Sequence, residues 1–232
     1  MDDYLTEKEQ IERIKQWWHE NGWFLIGGLV VVGLGYFGLQ QYRAYQQRTG
    51  EEAAAIYLQL KQAVDDDDRE QADSLLGQLE DGYASSAYFD QARLLIASDN
   101  LIRDTARSIT ELTAVMDDSR DEGMAMIARL RLARVLAYDE QYDRALDVLN
   151  VPNAGEYAPR LNDIKGDIYA AMGNTDSAVN AYTDALLGSG NGTVDTEYLQ
   201  LKLNDLIQAQ VDETADTVAA PADTGTAVED EE

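Results

Sequence analysis

Between residues 23 and 39 every position is apolar or glycine, and no charge interrupts the run. Ahead of it, Ile11, Ile14, Trp17 and Trp18 recur at helical spacing, which predicts an amphipathic leader helix. Behind it, apolar positions return at three- and four-residue intervals as far as Gln210. The pattern predicts an all-α chain: a leader (1–22), an apolar span (23–41), a helical body (42–210) and a tail (211–232).

The apolar run holds 17 residues, the short end of what crosses a hydrocarbon core of about 30 Å. A buried core helix would show a polar face, and none is present. A cleaved signal peptide would carry a shorter apolar core and a small-x-small site, whereas Gln40-Gln41-Tyr42-Arg43 follows. Trp17, Trp18 and Trp23 at one end, and Tyr36, Phe37, Tyr42 and Tyr45 at the other, form the aromatic belts of a membrane anchor. Lys8, Arg13 and Lys15 precede the anchor, while Arg43 and Arg48 follow it. This bias, with a short leader and a long C-terminal body, points to a cytoplasmic N-terminus and an external body. Thr6-Glu7-Lys8-Glu9 has the pattern of a capping box opening the leader helix, and Asn21-Gly22 is expected to break that helix at the membrane. The leader reads as a segment lying on the inner leaflet, or as a docking helix for a cytoplasmic partner. Gly28 and Gly35 would let another helix approach, although no G-x-x-x-G is formed.

The body repeats. Gly166, Tyr169, Ala178, Tyr182 and Ala185 have the small–aromatic–small spacing of a tetratricopeptide unit, with Gly173-Asn174 as the turn between its helices. Ala133, Leu136, Ala145 and Leu149 repeat the pattern 33 residues earlier, around an Asp139-Glu140-Gln141 turn followed by Tyr142. Upstream, Ala92 and Leu95 fit a first helix, and Ala106, Ile109, Leu112 and Val115 form a stripe on a second. The connection between those two is two residues longer than in the better units. Ala54 and Tyr57 are expected to face Ala72, Leu75, Leu76 and Leu79 across Asp65-Asp66-Asp67-Asp68. That run lacks the alternating ligands and glycine of a calcium loop, so it reads as a solvated turn. Pro152 and Pro159 punctuate the join between the two best units, and Leu199, Leu203 and Leu206 mark a terminal capping helix over 196–210. The predicted architecture is one transmembrane helix followed by an α-solenoid of four tetratricopeptide-like pairs and a cap.

Charge and chemistry narrow the function. The 44 acidic residues against 18 basic ones, a formal −26, oppose nucleic-acid binding and adhesion of the body to anionic lipid. Cysteine is absent, which removes disulfides and thiol chemistry. His19 is the sole histidine and flanks the anchor, so histidine-based catalysis and His-rich metal sites are not expected. Gly188-Ser189-Gly190-Asn191-Gly192 lacks the lysine of a phosphate loop and follows a helix, so it reads as a linker. The tail from 212 holds eight acidic residues, no basic ones and Pro221, and is expected to be disordered. No catalytic, cofactor or metal residue is predicted, and no individual partner-binding residue can be assigned.

Three stretches carry a resemblance: Ile11-Glu12-Arg13-Ile14-Lys15-Gln16-Trp17-Trp18-His19-Glu20-Asn21-Gly22, Leu130-Arg131-Leu132-Ala133-Arg134-Val135, and Leu201-Lys202-Leu203-Asn204-Asp205-Leu206. In their order and spacing the chain resembles the YfgM family, the ancillary subunit of the bacterial SecYEG translocon, from about Thr6 to Ile207. That resemblance implies a single-pass inner-membrane protein with a periplasmic tetratricopeptide domain. It also implies the translocon and a PpiD-type periplasmic chaperone as partners, with emerging secreted polypeptides as clients. It assigns no catalytic residue. The aspartate run and acidic tail depart from the family, and an acidic surface would select a basic partner face. The competing reading is a regulator whose cytoplasmic leader sequesters a signalling protein while the repeats sense envelope state. A cell-wall enzyme is the remaining and least supported class.

Overall fold

The computed structural model describes residues 7–219 apart from 191 and 193. Among them only helices form: α1 (Glu7–Asp65), α2 (Arg69–Tyr83), α3 (Ala87–Asn100), α4 (Thr105–Asp118), α5 (Glu122–Tyr138), α6 (Tyr142–Val148), a single 3₁₀ turn (Gly155–Tyr157), α7 (Ala158–Ala171), α8 (Thr175–Gly188) and α9 (Thr196–Ala219).

Leader, anchor and the first body helix are one rod. α1 has 59 residues, about 90 Å at 1.5 Å per residue, and Asn21-Gly22 does not break it. A mid-helix glycine costs only about 1 kcal/mol. Here Asn21 Nδ2 donates to Trp17 O (3.2 Å), and the Trp18 indole covers Gly22 so closely that a Cβ would sit 3.3 Å from it. Thr6 of the expected capping box lies outside the described residues.

The remaining helices pair as α1/α2, α3/α4, α5/α6 and α7/α8, with α9 packed on α8. Three of the four intra-pair turns are the same device. Asp67 (φ 59°), Glu140 (φ 59°) and Gly173 (φ 73°) are left-handed. At each, two backbone bonds close a Schellman cap, as in Asp67 N–H to Val64 O and Asp68 N–H to Ala63 O. The next residue, Asp68, Gln141 or Asn174, then precedes the second helix. Asp68 and Asn174 also cap it, accepting from Gln71 N–H (3.1 Å) and Ser177 N–H (3.2 Å), each worth about 1 kcal/mol.

The second pair departs from this pattern. Its connection runs from Leu101 to Asp104, one residue longer than the others rather than two. Asp104 caps α4 through Arg107 N–H (3.0 Å). Counted four residues past each turn's last residue, the small position is Ala72, Ser108, Ala145 and Ala178, all buried. Ser108, not Ala106, therefore carries the repeat, and Ala106 is exposed. A polar residue serves there because Ser108 Oγ donates to Ala97 O across the pair (2.7 Å). In the first pair the face of α1 is likewise set by Ala53, Leu60 and Ala63, with Ala54 and Tyr57 only partly buried.

The core follows the stack. One cluster joins α1, α2 and α3 (Leu60, Leu79, Phe89), a second runs from α3 to α7 (Leu112, Leu136, Leu149, Ile164), and a third joins α8 to α9 (Tyr182, Leu199). Each helix buries itself only against near neighbours, as in a solenoid. α9 continues past Gln210 to Ala219, so the first part of the expected disordered tail is helical. No glycine or proline occurs before Pro221 to stop it, while residues 220–232 lie outside the described ones.

Candidate partner-binding surface

Two surfaces stand out, and the first is the outer wall of α1. Trp23, Phe24, Leu29, Val31, Val32, Leu34 and Phe37 are all exposed, with Trp23 at 80 %. An apolar surface continuous along more than four turns is unstable in water and needs a covering of lipid or protein. The helix is long and apolar enough to cross a membrane. The leader's Ile11, Ile14, Trp17 and Trp18 extend the exposed apolar surface toward the N-terminus. Gly28 and Gly35 are open, with nothing within 4 Å of where a Cβ would lie.

The second surface lies on the repeats. First helices pack closely on one another at α1/α3 and α5/α7, while second helices of successive pairs pack less closely, α2 and α4 meeting through the Arg107–Asp73 ion pair, so the first helices line the more crowded side of the stack. Between α3 and α5 that packing thins, and α4 packs on both. The gap is a groove of two adjoining hollows, about 250 and 390 Å³. α3 contributes Gln91, Leu94 and Ser98, α5 contributes Ile127, Arg131 and Arg134, and Ser108 and Leu112 of α4 form the floor. Tyr57 of α1 overlooks one end and stacks at a tilt on Tyr88, with centroids 5.8 Å apart. The Leu130–Val135 stretch singled out in the sequence thus splits in two. Leu130, Leu132, Ala133 and Val135 are core, and Arg131 and Arg134 face the groove. Sequence reasoning missed that face, although Met124, Ile127, Arg131 and Arg134 at helical spacing were its signal.

Elsewhere charged side chains hold the stack together. Each aspartate of the 65–68 run has a local task. Asp65 pairs with Lys61 (2.7 Å), Asp66 accepts from Gln62 (2.9 Å), Asp67 accepts from Arg103 (2.7 Å) and Arg69 (3.2 Å), and Asp68 caps α2. The Arg103 hydrogen bond, with that from Arg69, holds the Asp67 carboxyl below its usual range. Arg107 pairs with Asp73, tying α4 to α2. Arg93 stacks on Phe89 at 4.3 Å and reaches Glu80 and Glu111, each at 3.5 Å. Burial raises the Glu111 carboxyl above its ordinary value despite that arginine.

Around α9, Lys202 Nζ lies 2.6 Å from Asp167 and 3.0 Å from Asp163, between the rings of Tyr182 and Tyr198. Burial opposes its charge, but the two aspartates outweigh that and raise its pKa. Burial, aided by the bond its hydroxyl donates to Asp167 (2.6 Å), also raises the Tyr182 phenol. Among the described residues no cluster of three or more His, Cys, Asp or Glu side chains is arranged to hold a metal ion.

Residues 15–208 match the tetratricopeptide repeat-like domain family. A protein of Neisseria gonorrhoeae named Ancillary SecYEG translocon subunit is 30% identical over 207 residues, 88% of this chain and 98% of its own length. The chain belongs to the family of ancillary SecYEG translocon subunits. Family members bearing the same name in Aggregatibacter actinomycetemcomitans (27% over 206 residues, 87% and 98% covered) and Escherichia coli K12 (26% over 210 residues, 89% and 99% covered) agree. The family match embraces the anchor as well as the repeats, so the apolar segment of α1 is part of the shared architecture. No solved structure matches the chain.

Proposed function

We propose that this chain is a non-catalytic, membrane-anchored scaffold that associates with the SecYEG translocon. Its leader lies in the cytoplasm and its repeats lie in the periplasm, where they link emerging secreted chains to a PpiD-type chaperone. The observation that carries the reading is the continuity of α1 from the exposed apolar segment into the first helix pair. A rod of this kind fixes the height and orientation of the repeats above the bilayer, so position at the membrane becomes the protein's contribution. The names of its relatives support the translocon as the partner. The Lys/Arg bias across the anchor supports the orientation.

The absence of cysteine makes the topology test direct. Single substitutions Glu12→Cys and Asp143→Cys, both at exposed positions, are exposed in spheroplasts to a membrane-impermeant maleimide. Asp143→Cys should label at once and Glu12→Cys only after permeabilisation; the reverse order sinks the orientation. Copurification from solubilised membranes then compares the full chain with one lacking residues 42–232. If SecY is recovered equally with the leader and anchor alone, and the repeats never bring down a periplasmic chaperone, the scaffold reading gives way to the leader-based regulator.

A further inference from the structure

The groove between α3 and α5 is out of character with the rest of the body. Acidic residues outnumber basic ones 44 to 18, yet no carboxylate lines either hollow. Several body arginines are drawn to carboxylates: Arg69, Arg93, Arg103 and Arg107 each lie within 4 Å of at least one, while Arg129 and Arg144 donate instead to the Val148 carbonyl and the Gln141 amide oxygen. Arg131 and Arg134, one turn apart on α5, have no acidic partner among the described residues, and both are exposed. Beside them stand Ile127, also exposed, and Leu94 and Leu112 in the floor and wall.

We propose that this groove docks a partner segment carrying an Asp or Glu carboxylate next to one or two bulky apolar side chains. The proposal rests on the scaffold reading and specifies the chemistry of what the scaffold holds. Two guanidinium groups on one helical face offer a carboxylate paired, fork-shaped donors, stronger than neutral hydrogen bonds. The adjoining hollows accept the apolar neighbours. The body's overall negative charge repels such a segment at long range, but salt screens that repulsion beyond about 8 Å at physiological ionic strength. Within that distance the two arginines dominate. The acidic surface therefore selects against acidic partners everywhere except here, which gives the groove specificity as well as affinity.

The test uses the full chain in detergent micelles and three fluorescein-labelled 12-residue peptides with the same leucines and phenylalanine. These carry three Glu, three Gln or three Lys, and affinity is read by fluorescence anisotropy. The Glu probe should bind about tenfold more tightly than the Gln probe, and the Lys probe should be weakest. Arg131→Ala with Arg134→Ala should cost the Glu probe about tenfold and leave the Gln probe nearly unchanged, and the Arg→Lys pair should recover part of the loss. Ile127→Asp, which keeps both arginines but adds a carboxylate, should weaken the Glu probe more than the Gln probe. Equal binding of the Glu and Lys probes overturns the proposal, as does indifference of the Glu probe to the arginine pair. A tenfold gain for the Glu probe in a chain ending at Ala219 also overturns it, because the occupant is then this chain's own acidic tail. SecY copurification of the same variants keeps the two readings separate: lost probe selectivity with SecY retained sinks the groove assignment alone, and SecY absent from the parent chain sinks the scaffold reading alone.

Discussion

Gly166→Ala sets two opposite effects against each other in the best-formed repeat. Gly166 lies inside α7, where alanine is favoured over glycine by about 1 kcal/mol, so intrinsic propensity predicts a gain. Packing predicts a loss. A methyl group at Gly166 would fall 2.5 Å from Tyr182 Cδ1 and 2.9 Å from Cγ, with Cε1 nearer still. The ring has nowhere to retreat, since Tyr182 is 3 % exposed and its hydroxyl is held by Asp167 at 2.6 Å. Overpacking of this kind costs about 1–3 kcal/mol, and displacing the hydroxyl from a charged acceptor adds about 1–2 kcal/mol. Set against the propensity gain, the net loss is about 1–4 kcal/mol, a fall in Tm of roughly 2–16 °C for a body of this size. Thermal melts followed by near-ultraviolet circular dichroism of the tyrosines measure it. Adding Tyr182→Leu should recover part of the loss in the alanine background, with a coupling energy of about 1 kcal/mol or more. A Gly166→Ala protein that melts at or above the parent temperature refutes the close-approach argument.

The turns give a paired prediction: Gly173→Ala should destabilise by about 1–2 kcal/mol, and Glu140→Gly at the equivalent left-handed residue should be neutral or stabilising; denaturant melts that rank the two the other way would contradict the shared turn geometry. Lys202→Met should raise amide hydrogen exchange across α9 while leaving α5 protected, because its ion pairs join α9 to α7; unchanged exchange in α9 would remove the clamp from the account. In the folded protein Lys202 titrates above its ordinary value of 10.5 and Tyr182 above its ordinary 10.0. Both contributions are therefore complete below about pH 10 and decline as pH rises further, so α9 protection should fall in strong alkali and not between pH 6 and 9. Val31→Arg at the centre of the apolar run should cost about 2.5–3.5 kcal/mol of insertion and shift the chain toward the carbonate-soluble fraction; full retention in the membrane pellet would show that another segment anchors it.

Much of this fold is legible residue by residue because a helix pair is a local object. Gly173-Asn174 and Asp139-Glu140-Gln141 announce their turns, and the small and aromatic positions around them fall where the helices cross. The exceptions are positions where a distant atom decides. Ser108 looks too polar for a buried repeat position until Ala97 O is seen to accept its hydroxyl, so the sequence stripe falls on Ala106 instead. Asn21-Gly22 reads as a breaker until Trp17 and Trp18 satisfy and cover it. The groove was invisible for a different reason: α3 and α5 pack loosely on each other while α4 packs on both, a property of three helices together and of none singly.

Sequence alone determined that the chain is all-helical, that it carries one apolar span, that its body repeats with a period near 34 residues, and that its net charge is strongly negative. These follow from side-chain periodicity and composition, which act over a few turns. Only the tertiary structure decided that leader, anchor and first repeat form one unbroken rod, and that two arginines face a groove free of carboxylates. Continuity depends on which side chain covers a glycine, and a groove depends on how loosely two helices pack, so neither is encoded in any single stretch of sequence.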